Sequence, residues 1–183
     1  SQYFVLGPKV SQLESEIASY VGTSRAIGCA SGSDALLLAL MALDVKAGDE
    51  VICPSYTFFA TGGAIHRIGA IPVWADIDPI TYNITSGSIK SAAEKCSRLK
   101  AIMPVHLYGQ TVDMNGILDV AGELDVPIIE DAAQAIGAKD ATGAMAGSRG
   151  TIGCFSFYPT KNLGGFGDGG MLTTSDDSLA DRI

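Results

Sequence analysis

The sequence predicts an α/β domain: a mostly parallel central sheet of about seven strands, the last one antiparallel, with helices on both faces. Short apolar runs alternate along the chain with stretches at helical spacing. The runs are almost continuously apolar, as strands covered on both sides are. The last two runs are joined by the glycine-rich residues 164–170 and not by a helix, which permits an antiparallel strand at the end of the sheet.

Residues 10–21 open the pattern as a helix, with Leu13, Ile17 and Val21 on one stripe. A strand at 26–30 leads to a helix at 34–43, and a strand at 50–54 to a helix at 59–68. The strand at 71–75 precedes a helix at 87–96, and the strand at 99–105 a helix at 114–124. Strands at 126–130, 151–157 and 170–174 complete the sheet, and 180–183 resembles the start of another helix. In such sheets ligands bind beyond the carboxyl ends of the strands, where the chemistry-bearing segments of this chain fall.

At 183 residues the chain suits one well-packed domain and is short for two. With 47% of residues apolar and 17% charged, it has a large core and no signature of disorder. A net charge of −8 argues against a nucleic-acid or anionic-membrane surface, while leaving room for a local phosphate site. The longest apolar run, 35–43, is far short of a membrane helix, and the stretch from Ser1 to Pro8 lacks the marks of a signal peptide. Cys29, Cys53, Cys96 and Cys154 form no C-x-x-C pair and no metal-like cluster with His66 or His106, so no metal is expected. Three of them lie in strand-like runs, which predicts buried free thiols in a reducing cytoplasm.

Lys161 lies in Ser156-Phe157-Tyr158-Pro159-Thr160-Lys161-Asn162-Leu163-Gly164-Gly165. A lysine in an apolar, glycine-flanked turn is well placed to lose its proton and act as an amine nucleophile. Cys29-Ala30-Ser31-Gly32-Ser33-Asp34 is a strand, a small-residue turn and a helix start. It suits an anion bound by free N–H groups and the Ser33 hydroxyl, and equally a helix cap through Ser31 and Asp34. Asp131, at the end of an apolar strand, faces the ligand edge or caps the next turn; Glu130 points the other way by strand alternation. Together these segments supply what a pyridoxal phosphate site needs, including a carboxylate for a protonated ring nitrogen. Tyr56, Phe58 and Phe59 offer an aromatic face for a planar ring, although at least one of them is expected in the core. His106 reads as a satisfied structural histidine. The G-x-G-x-x-G spelling at 165–170 precedes a strand, the reverse of a dinucleotide fingerprint, and no P-loop spacing occurs.

These segments, with Asp76-Ile77-Asp78-Pro79 and Pro104-Val105-His106-Leu107-Tyr108-Gly109-Gln110, resemble in order and spacing the DegT/DnrJ/EryC1/StrS aminotransferases. That family is the sugar-modifying branch of the fold type I pyridoxal-phosphate enzymes. The resemblance implies that Lys161 bonds the cofactor and moves protons, and that Asp131 pairs with its ring nitrogen. Gln134 would lie at the ring's hydroxyl side and Phe58 on its face. Ser33, the Asp34 backbone and Ser156 would hold the phosphate. It further implies a homodimer that moves an amino group from an amino acid, usually glutamate, to a keto group of a nucleotide-linked sugar. Relatives with histidine in place of the lysine remove a sugar hydroxyl instead, so Lys161 matches the aminotransferase form. Lyase chemistry or a non-catalytic fragment are the alternatives. Residues 1–183 would then be the cofactor-binding large domain, without the family's smaller C-terminal domain.

Overall fold

The computed structural model describes residues 5–183. Residues 1–4, in the stretch read above for signal-peptide features, lie outside the described residues. Helix α1 (Pro8–Val21) precedes β1 (Arg25–Cys29), α2 (Gly32–Ala42), β2 (Glu50–Pro54), α3 (Phe59–Arg67), β3 (Ile71–Ala75) and α4 (Ser86–Ala93). Then come β4 (Leu99–Ile102), a 3₁₀ turn at Leu107–Gly109, α5 (Met114–Leu124), β5 (Ile129–Asp131), β6 (Ile152–Ser156), β7 (Gly170–Thr174) and a short α6 (Asp177–Ala180).

The strands form two ladders, β3-β2-β4 and β1-β7-β6-β5. Parallel bridges Ile102–Ile128 and Val105–Asp131 join β4 to β5, giving one sheet in the order β3-β2-β4-β5-β6-β7-β1. The ladder thins at this seam because Pro104 and Pro127 have no N–H to give. Their carbonyls still accept, from Asp131 at 2.9 Å and Ile102 at 3.0 Å. This is why β4 and β5 are shorter than the apolar runs that predict them. The expectation for β7 needs a correction: it is antiparallel, but it lies inside the sheet. The loop from β6 returns it alongside β6, and β1 pairs with its other edge.

Alternate residues of the central strands enter opposite cores. Val51, Cys53, Ile129, Cys154 and Leu172 pack with α2 and α3. Ile52, Ile102 and Ile128 pack with α4 and α5, while Phe155 and Met171 meet α1. Fully buried aliphatics such as Leu40, Ile52 and Ile117 each contribute about 1.5–3 kcal/mol. In α1, Ile17 and Val21 are buried as expected, whereas Leu13 stays exposed. Burial pushes the thiols of Cys53 and Cys29 up to about 12 and 11 and raises that of Cys154 well above its ordinary value, so none is a ready nucleophile. Among the described residues, no helix is long and apolar enough to cross a membrane.

One buried carboxylate ties the seam together. Glu130 and His106 have no exposed side-chain surface, and Glu130 Oε2 accepts from His106 Nε2 at 2.8 Å. His106 Nδ1 accepts from the Val112 amide at 3.2 Å, which places the ring proton on Nε2. Glu130 also accepts from the amides of Gly147 at 2.8 Å, Arg149 at 2.7 Å and Gly150. Burial opposes its ionisation, but the His106 bond and the Gly150 and Gly147 amides outweigh that and hold the carboxyl below its ordinary value.

Glu130→Gln would turn an NH₂ group against these donors, at a cost of about 3–5 kcal/mol in urea unfolding at neutral pH. A carboxyl lowered in the folded state contributes stability above its unfolded pKa that is lost as pH falls through the folded value. The gap between wild type and variant should therefore narrow in acid. A wild-type midpoint at neutral pH would remove this pair from the fold's supports.

Candidate active site

A cavity of about 500 Å³ opens at the carboxyl edge of the sheet. Its walls include the start of α2, the β2–α3 junction, the end of β5 and the loop between β6 and β7. Ser33, Phe58, Asp131, Gln134, Ser156 and Lys161 all line it. Asp34 does not. Its amide donates to Ser31 Oγ at 3.0 Å and its carboxylate meets Ser31 and Arg67, so the helix cap takes the backbone group expected to hold an anion. Capping still leaves the first two helical amides, Gly32 and Ser33, without intrahelical partners.

Lys161 rides on the long β6–β7 hairpin. The base is closed by Phe157 N–H to Gly169 at 2.8 Å, and the loop is pinched by Gly165 N–H to Phe157 at 2.8 Å. Residues 158–160 and 162–168 are exposed, so the loop itself does not provide the apolar setting the sequence suggested. That setting comes from across the cavity, where Lys161 Nζ stands 5.9 Å from the centroid of the Phe58 ring. Phe58 is the N-cap residue of α3 and 67% exposed. Tyr56 and Phe59 are exposed too, which corrects the expectation that one of the three fills the core. They follow β2 beyond the sheet edge, and α3 buries Thr61, Gly62, Ala64 and Ile65 instead. Of these three aromatics, Phe58 alone lines the cavity.

Asp131 closes β5 on the face opposite Glu130 and is 5% exposed. Oδ2 accepts from the Thr61 hydroxyl at 2.8 Å and Oδ1 from the Ala133 amide at 3.2 Å. Burial dominates and raises its pKa against the pull of Thr61, Ala133, His106 and Lys161. Gln134 Oε1 accepts from the Tyr108 amide at 2.8 Å, which leaves its NH₂ as the group available to a ligand. Ser156, at the end of β6, sits so close to the start of α2 that a Cβ on Gly32 would lie 2.5 Å from its own Cβ.

The sequence reading missed Thr57, Tyr158, Thr160 and Asp168 on the cavity wall, and Thr61 behind it. The available signal was the i, i+4 spacing of Thr57 and Thr61 at a helix start. The site thus has a buried carboxylate, an amine across an aromatic face, and hydroxyls with open amides at a helix N-terminus. That donor set suits a planar group with a cationic ring nitrogen and an anionic tail. Among the described residues, no group of three or more His, Cys, Asp or Glu side chains could hold a metal ion.

The model of the DegT/DnrJ/EryC1/StrS aminotransferase family matches residues 1–183. The chain is 51% identical over 182 residues to a pleiotropic regulatory protein of Geobacillus stearothermophilus, covering 100% of this chain and 48% of the relative. It is 49% identical over 180 residues to UDP-N-acetyl-3-dehydro-alpha-D-glucosamine 3-aminotransferase of Acidithiobacillus ferrooxidans, covering 98% and 48%. Among solved structures, S. venezuelae DesV in complex with a ketimine intermediate is similar at a TM-score of 0.95 and 42% identity, covering 100% of this chain and 48% of that one. The chain therefore spans about half the length of the curated relatives it matches.

An acid with a raised folded pKa binds its proton more tightly folded than unfolded. Its contribution is therefore lost as pH rises from the ordinary carboxylate range through the raised value. Thermal unfolding of the ligand-free chain should show wild type losing stability relative to Asp131→Asn across that window. Parallel pH profiles would mean that the carboxylate is not desolvated as its burial implies.

Proposed function

The chain belongs to the DegT/DnrJ/EryC1/StrS aminotransferase family, and from that premise we propose that it is the pyridoxal-phosphate-binding large domain of a nucleotide-sugar aminotransferase. The observation that carries this reading is one cavity in which Lys161 Nζ faces Phe58 while Asp131 is buried in the wall. Pyridoxal phosphate supplies, when bound, an electron sink that makes the bonds at an amine-bearing carbon labile.

The residues divide that work by chemistry. Lys161 Nζ would hold the cofactor at its aldehyde carbon, with loss of water, and, once the substrate's amine had displaced it, would take and return the proton at the amine-bearing carbon. The Asp131 carboxylate would answer the positive charge of a protonated ring nitrogen, recovering part of its own desolvation cost. Phe58 would hold one ring face, and Gln134 would donate at the ring's hydroxyl side. Ser33, Ser156 and the open amides of α2 would hold the phosphate. Asp34 would take part through its place in the cap.

The amine would come from an amino acid such as glutamate. Similarity to an enzyme named for 3-amination of a UDP-linked keto sugar supports a nucleotide-linked keto sugar as acceptor. A homodimer in the cytoplasm is part of the reading. Phe59, Ile80 and Phe166, 84%, 85% and 115% exposed, are large apolar side chains suited to cover by a second copy.

Mixing the chain with pyridoxal phosphate should give a yellow band that borohydride fixes on Lys161, as located by peptide mapping. Lys161→Ala should lose the band and all amine transfer while keeping the wild-type unfolding midpoint, because a loop lysine adds little to the core. Fixation on another lysine, or unchanged transfer by the variant, would sink the assignment.

A further inference from the structure

Asp131 and Glu130 are buried neighbours with unequal support. Glu130 has four donors, whereas the Asp131 carboxylate has two, of which Thr61 is the one side chain among the described residues. Thr61 is itself fully buried, and its hydroxyl stands 3.0 Å from that of Thr57. An ionised carboxylate only accepts, so the Thr61 proton is committed to Asp131 Oδ2. Thr57 must then be the donor in the hydroxyl pair. The chain of bonds runs one way, from Thr57 O–H to Thr61 Oγ1 and from Thr61 O–H to Asp131.

The two threonines stand four residues apart around the start of α3, with Phe58 between them as its N-cap. Thr57 lines the cavity and Thr61 lies behind it. One helix start therefore presents the aromatic face and also grips the buried acid.

We propose that Thr57 and Thr61 form a hydroxyl relay that keeps Asp131 ionised and aimed at the ring nitrogen of the cofactor, both acting as positioning residues. The role at the cofactor rests on the functional reading above; the effect on Asp131 does not. A bond to the charged form favours ionisation, and its removal from a buried group leaves desolvation less opposed. The other titratable groups near Asp131 are His106 after β4, Cys154 on β6 and Lys161 on the hairpin, all retained in the variants below.

The test is the titration of the Asp131 carboxyl carbon, followed by ¹³C NMR in the ligand-free chain. Thr61→Val should raise it, Thr61→Ser should restore it, and Thr57→Val, at a half-buried position that tolerates change, should raise it less. Pyridoxal phosphate should dissociate about tenfold more readily from Thr61→Val than from wild type or Thr61→Ser. An unmoved titration in Thr61→Val, or a serine variant that behaves like valine, would overturn the relay. If Thr61→Val does not fold, an unmoved titration in Thr57→Val overturns it. The titration is read without cofactor, so failure of the wild type to take up pyridoxal phosphate would sink the functional reading alone.

Discussion

Strand β5 places two acids side by side and, because successive strand residues face opposite ways, sends them to opposite sides of the sheet. Glu130 enters the side where its donors converge from His106 and from the turn at Gly147 to Gly150. There it acts as an acceptor that fixes the seam between two ladders. Asp131 enters the side of α2 and α3, where donors are fewer and its ionisation is resisted. A one-residue slip of β5 would exchange them, leaving an unsupported charge in each place. The polar saturation of Glu130 is therefore also a register lock.

The architecture was legible because local and global signals agree. Short apolar runs mark β2, β3 and β7 to the residue, and α5 begins and ends where its pattern does. The failures have physical causes. Pro104 and Pro127 shorten a ladder through what they cannot donate, a property of two facing strands that neither run displays alone. The position of β7 depends on β1, far away in sequence. Apolarity suggested a core place for an aromatic among Tyr56, Phe58 and Phe59. Residues just past the end of a strand belong to the rim, whatever their hydrophobicity.

Within the site, legibility followed chemistry that is local in sequence. Lys161, Asp131, Ser33 and Ser156 each stand in a recognisable segment, and the fold brings them to one cavity. Asp34 was read as an anion donor, yet its amide is already bonded to Ser31. The cap takes one N–H group of that helix turn and leaves those of Gly32 and Ser33 open. Thr61 escaped notice for the opposite reason: its spacing to Thr57 is local, but its partner is not. A threonine in a glycine-containing helix carries no mark of its partner, and Asp131 is 70 residues away.

The separation of the Lys161 hairpin from the start of α2 is set by close packing of backbone. Gly170 opens β7 opposite Ser156, and the register places Cys29 on its other side. A side chain at Gly170 would strike the Ser31 carbonyl, and one at Gly32 would strike Ser156. The start of α2 is thereby pressed onto both feet of the hairpin that carries Lys161. Gly32 has no positive φ, so steric room is what a glycine supplies there. The hairpin tip is exposed, but its feet are held by strand pairing and by this contact. The start of α2 and the feet of the hairpin are thereby fixed together, while the loop that carries Lys161 projects beyond them. A cofactor bound as proposed would keep its phosphate at that fixed turn when its bond to Lys161 is released.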